Sequence, residues 1–178
     1  MKSIKRITEK EKGAYDTDWQ KEVTRELIEK TIREKLDFHT VIDIGCGKMH
    51  YFSEAIRVDG NTEADYDILF DLEEVGDFGK YDLVFSIETA EHIKNADNFV
   101  ETITRCSRKW IVMTASPPSE KTEYTARAHL NEQEKDYWIK KVEAKGFKYN
   151  KELTEELQEI FKDSTTWFKR DLMIFKCE

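Results

Sequence analysis

Residues 41–47 read Val-Ile-Asp-Ile-Gly-Cys-Gly, and no other stretch limits the fold so tightly. Three aliphatic residues around one acid read as a short buried strand. Gly45 and Gly47 then permit positive φ and a close approach of backbone to a ligand. A strand running into a glycine turn is where open α/β sheets hold nucleotide-like ligands. Asp43 narrows the choice of ligand. A carboxylate just ahead of a phosphate-cradling loop would repel the phosphate, whereas a ligand with a cationic amine would be drawn to it.

A chain of 178 residues suits a single domain spanning residues 1–178, with the polar residues 1–14 expected to be loosely held. No apolar run approaches the roughly 18 residues that cross a bilayer, and the N-terminus does not read as a secretory signal. Cys46, Cys106 and Cys177 are far apart and odd in number, so the sequence suggests a reducing cytoplasm and no metal site. The net charge of −8 argues against a dedicated duplex nucleic-acid binder and favours a small molecule, a sugar or a docked protein. No oligomeric state is legible.

Apolar spacing predicts an amphipathic helix over 18–36, capped by Asp16 or Thr17, and a first strand over about 39–44. Ala55–Gly60 reads as the second strand, ending in Asp59, which leaves the first crossover helix very short or absent. A competing register ends that strand at Tyr66–Asp67; the preferred one makes Asp67–Leu72 the third strand. Further strands are expected at 81–87, 110–114, from 147 onward and at 171–177, and helices at about 95–107, 131–145 and 152–162. The alternation predicts an α/β, doubly wound, mostly parallel seven-stranded sheet with helices on both faces and an antiparallel last strand.

With these pieces in order, the chain resembles class I S-adenosylmethionine (SAM)-dependent methyltransferases, the Rossmann-like family. The matching segments are Val41–Gly47, Val58–Asp59, Phe70–Leu72 and Tyr81–Ile93; the shortened first crossover is similar to a compact subset of that family. The resemblance implies SAM as cofactor and a cofactor site built from Asp43, Gly45, Cys46, Gly47, Asp59, Gly60, Asp71, Leu72, Ile87 and Glu88. Asp59 is expected to accept from the ribose hydroxyls, as carboxylates do in dinucleotide folds. Asp71 and the Leu72 amide are assigned the adenine. The expected reaction is methyl transfer to an oxygen or nitrogen of a small-molecule or sugar-like acceptor. The shortened crossover also admits a non-catalytic SAM-binding or nucleotide-binding module, or an inactive paralogue.

Two polar clusters lie beyond the cofactor motifs. Glu88-Thr-Ala-Glu-His-Ile93 ends the fourth strand, where His92 is a candidate general base, with a structural bracing role for Glu91 and His92 as the alternative. His129-Leu-Asn-Glu-Gln133 follows the fifth strand, with His129 a second candidate and Asn131 either a substrate contact or a helix cap. The stretch around it is similar to small methyltransferases associated with surface-polysaccharide clusters. Residues 115–130 form a candidate substrate lid, and Tyr15 and Trp19 either staple the core or close over the cofactor. His39 reads as structural, and His50 in the short loop has no assigned role.

Overall fold

A computed structural model of the chain describes residues 18–118, 128–163 and 166–178, with side chains described from residue 25 onward and outside 166–167. The cap at Asp16 or Thr17, the role of Tyr15, the Trp19 side chain and most of the proposed lid lie outside the described residues. Among the described residues, no helix is long and apolar enough to cross a membrane.

The helix α1 (Asp18–Lys35) precedes β1 (Val41–Ile44), β2 (Ile56–Asp59), β3 (Ile68–Leu69) and β4 (Tyr81–Ser86). Then come α2 (Ala96–Cys106), β5 (Ser107–Met113), α3 (Lys135–Glu143), β6 (Phe147–Tyr149), α4 (Lys151–Ile160), α5 (Thr166–Asp171) and β7 (Met173–Cys177). The seven strands form one sheet in the order β3-β2-β1-β4-β5-β7-β6. The first five run parallel, and β7 is antiparallel to both β5 and β6.

Alternate residues of the central strands feed two separate cores, which is why these strands read as nearly unbroken apolar runs. Ile42, Val84 and Ile111 face one core with Phe99 and Ile103 of α2 and Trp138 and Val142 of α3. Val41, Leu83, Phe85 and Val112 face the other with Ile28 and Ile32 of α1, Leu157 of α4 and Phe168 of α5.

No helix joins β1 to β2, as the spacing predicted. The connecting loop instead drives Tyr51 and Phe52 into the second core, where their ring centroids lie 5.0 and 5.1 Å from Phe85. Phe52 also meets Phe38 edge-on at 5.7 Å. Two aromatic side chains thus cover sheet surface that a crossover helix would otherwise cover.

Several boundaries differ from the sequence reading. The third strand keeps only Ile68–Leu69 of the expected Asp67–Leu72, because Asp71 turns the chain by accepting from the Glu73 amide. Asp67 instead clamps Arg57 of β2 through two guanidinium bonds and the Arg57 amide. Strand β5 begins at Ser107 rather than 110, and the last strand at Met173 rather than 171, since α5 occupies the residues before it. Helix α3 starts at Lys135, so Asn131 is not its cap; its side-chain Nδ2 donates to the Ile93 carbonyl. Helix α4 starts at Lys151, one residue early, because Asn150 caps it by accepting from the Leu153 amide.

Candidate active site

The parallel strands β1, β2, β3 and β4 end side by side, and their carboxyl ends carry the acids and glycines singled out above. Asp43 sits inside β1, in register with Arg57 and Phe85, and is 3% exposed. Burial first, then the negative charge of Asp59, push its carboxyl up to about 8, with the Arg57 guanidinium opposing. A buried carboxyl in this state lacks a strong counter-charge. A ligand amine would supply one.

Asp59 closes β2 and anchors the turn. Its Oδ2 accepts from the Gly47 amide at 2.8 Å and its Oδ1 from the Asn61 amide at 2.7 Å. The acid is therefore already a structural brace of the glycine loop, and its remaining lone pairs are what a pair of hydroxyls could use. The two glycines differ in role. At Gly45 (φ +80°) an added Cβ would lie 2.2 Å from Thr89 Oγ1, so its close approach is to protein, not to a ligand. At Gly47 (φ +56°) nothing lies within 4 Å of that position, so that side of the loop is open.

Cys46 is buried between them, its thiol 3.9 Å from the Asp65 carbonyl. Burial, then the charges of Asp43 and Asp59, push that thiol up to about 12, so it is a wall of the loop rather than a nucleophile. Gly60 lies against the Phe70 carbonyl, joining the turn after β2 to the end of β3. Asp71 is exposed at that end, Leu72 is buried beneath it, and Ile87 is half-buried after β4. The loop residue His50 lies 3.3 Å from Asp65 and within hydrogen-bonding distance of Arg57. The amide of His39 donates to Asp82, in keeping with a structural position.

Beyond β4 the chain enters a short turn, Ala90–His92, with unusual electrostatics. Glu88 adopts φ +50°, a strained conformation for a side chain this long. Its amide donates to Thr114 and its Oε2 accepts from Ser116 at 2.8 Å, while its Oε1 is buried without a well-aligned hydrogen bond among the described residues. Glu91 is fully buried, and its carboxylate oxygens meet no well-aligned hydrogen bond among the described residues; the Glu88 carboxyl and the Ser116 amide are its polar neighbours. Burial, then the neighbouring Glu88 charge, raise the Glu91 carboxyl to about 9.

The two histidines converge on this turn. The His92 and His129 rings stand edge to face at 4.9 Å between centroids. His92 Nδ1 lies 2.9 Å from the Ala128 carbonyl, which can only accept, so that nitrogen carries the proton. Burial lowers the His92 pKa, against the Ala128 bond, so the ring is neutral at pH 7. His129 Nδ1 lies 2.8 Å from Glu132 Oε1. The backbone seals the junction, because the Leu130 and Asn131 amides both donate to the Glu91 carbonyl. The bracing expected of Glu91 and His92 is therefore present, in the Glu91 carbonyl and the His92 ring.

The sequence reading missed Thr89, Ser116 and Glu132 as partners in this site. Only the Glu132 carboxylate, three residues after His129, was within reach of a spacing argument.

No family model matches the sequence, and no curated protein does. Many solved structures share the fold. The sugar N-methyltransferase KedS8 from Streptoalloteichus sp. superposes with a TM-score of 0.61 at 10% identity, over 95% of this chain and 91% of its own. The magnesium protoporphyrin IX methyltransferase from Synechocystis, solved with S-adenosylhomocysteine (SAH), gives 0.58 at 14% identity, over 89% and 83%. The [4+2]-cyclase SpnF gives 0.56 at 11% identity, over 89% and 82%. The chain thus has the Rossmann-like fold of class I SAM-dependent methyltransferases, a fold that also carries other chemistry.

Proposed function

We propose that this protein is a SAM-dependent methyltransferase acting on an oxygen or nitrogen of a small-molecule or sugar-like acceptor. Fold alone does not decide activity. The observation that carries the reading is the Asp43–Gly47–Asp59 arrangement. A buried carboxyl without a strong counter-charge, a glycine loop open at Gly47 and a carboxylate at the end of the next strand suit an amine, a backbone-hugging chain and a ribose in turn.

When bound, the cofactor supplies a methyl group on a sulfonium, an electrophile that needs no further activation. Asp43 neutralises the ligand amine. Asp59 accepts from the ribose hydroxyls while holding the Gly47 amide in place. Asp71 and the Leu72 amide address the adenine edge. The turn at Glu88–His92 borders the acceptor, with the neutral His92 ring and the His129 ring beside it placed to take a proton from it or to hold it. Because alignment and exclusion of water do most of such work, the chain needs few reacting groups of its own.

Calorimetric titration with SAM tests the reading. Asp59→Ala removes the loop's brace and a charge-assisted acceptor, and should weaken SAM at least tenfold, about 1.4 kcal/mol. Unchanged affinity would sink the assignment of Asp59. Release of SAH in the presence of amino-sugar and hydroxylated acceptors separates a catalyst from a binding module of the same fold.

A further inference from the structure

The turn after β4 holds a group that methyl transfer as described does not use. Glu91 is fully buried; neither carboxylate oxygen meets a well-aligned hydrogen bond among the described residues, and its polar neighbours are the Glu88 carboxyl and the Ser116 amide, so a proton rather than a cation separates the two acids. A desolvated carboxyl with poorly met hydrogen-bonding capacity is costly, and proteins retain one mainly where a ligand completes it. One ligand atom from each of Glu91, His92 and His129 lies within 4.8 Å of the others. Donors about 2.1 Å from one ion stand roughly 3–4 Å apart, so modest side-chain rotations close this cluster.

The imidazoles are arranged as metal-binding imidazoles are. His92 donates its Nδ1–H to the Ala128 carbonyl, and His129 places Nδ1 against the Glu132 carboxylate. Such outer partners fix the ring and the tautomer of a ligating histidine. Glu132 is itself enclosed, its side chain 5% exposed, which makes this a built pair rather than a surface contact. Glu88 brings a second carboxyl to the same turn, with one oxygen buried and without a well-aligned hydrogen bond among the described residues.

We infer that Glu91, His92 and His129 bind a divalent first-row transition-metal ion beside the cofactor loop, and that its open positions take adjacent hydroxyls of the acceptor. Two imidazoles and a carboxylate suit Mn²⁺, Co²⁺ or Zn²⁺ better than an all-oxygen ion. Position supports the second clause. Thr89, inside this turn, donates to the Gly45 carbonyl at 3.3 Å, so the cluster adjoins the glycine loop. An ion there would orient an acceptor hydroxyl and lower its pKa, and both histidines would serve as ligands instead of bases. The sequence alone assigned no metal. The acceptor clause rests on the methyltransferase reading; the ion site does not.

The test is calorimetry on the chelator-treated full chain with MnCl₂, CoCl₂ and ZnCl₂ in separate titrations. One ion per chain is expected, weakened at least tenfold by Glu91→Gln and by His129→Asn, with circular dichroism confirming that both variants fold. Failure of all three ions to bind, or equal binding by both variants, would overturn the site. A parallel SAM titration separates the two claims. SAM binding without ion binding defeats only this inference, whereas ion binding without SAM binding defeats the proposed function. For the acceptor clause, 4-nitrocatechol is the probe. Its absorption should shift on the Co²⁺-loaded protein and not on Glu91→Gln. No shift on the loaded wild type means the ion has no open positions and overturns that clause.

Discussion

Single residues in the glycine loop separate stability from binding. Gly45→Ala meets both a positive φ and the Thr89 side chain at 2.2 Å, so it should cost roughly 2–5 kcal/mol in urea unfolding. Gly47→Ala meets only the positive φ and should cost about 1 kcal/mol, yet it projects into the open side of the loop and should weaken SAM more than it weakens the fold. Equal losses of stability in the two variants would contradict this division.

Asp43 predicts a pH dependence. Its carboxyl is raised to about 8 in the folded chain. The unfolded chain releases that proton near pH 4. The folded state therefore holds a proton that the unfolded state has lost, and stability falls as pH rises from about 4 to about 8, then levels off. Asp43→Asn cannot titrate. Thermal melts of the ligand-free protein across this range should show a smaller decline for the variant than for the wild type, and parallel curves would refute the burial account.

At the scale of elements, the fold was legible because strands buried on both faces leave runs such as Val41–Ile44 and Leu83–Phe85 that read only one way. The missing crossover helix was legible too, from the short distance between Gly47 and Asp59. What replaces it was not, since nothing in sequence says that Tyr51 and Phe52 turn inward. Phe52 is 1% exposed, and Phe52→Ala should cost about 3–5 kcal/mol by denaturation. A loss under about 1 kcal/mol would mean that the loop does not take over the packing of a helix.

The helix boundary at Asn131 was misread for a related reason. A capping pattern is local, but the carbonyl at Ile93 that captures the Asn131 side chain comes from a distant turn. Asn150, whose cap competes with no long-range partner, behaves as local rules require.

For the molecule as a whole, the sheet does the assembling. Glu88, Glu91 and His92 lie after β4, His129 after β5, and the glycine loop after β1, three strands that are neighbours in the sheet and far apart in sequence. Sequence patterns named most of these residues singly, as acids, glycines and histidines at strand ends. They did not show that Glu91 is buried against the Glu88 carboxyl, or that Asp59 spends both of its oxygens on loop amides, because both facts depend on what folding brings near. The central claim is that this one edge holds SAM from Asp43 across to Asp71. A crystal structure grown with SAH tests it most directly. The account predicts the amine beside Asp43, the ribose hydroxyls on Asp59 and the adenine at Asp71 and Leu72. SAH bound at another edge, or with its ribose away from Asp59, would contradict it.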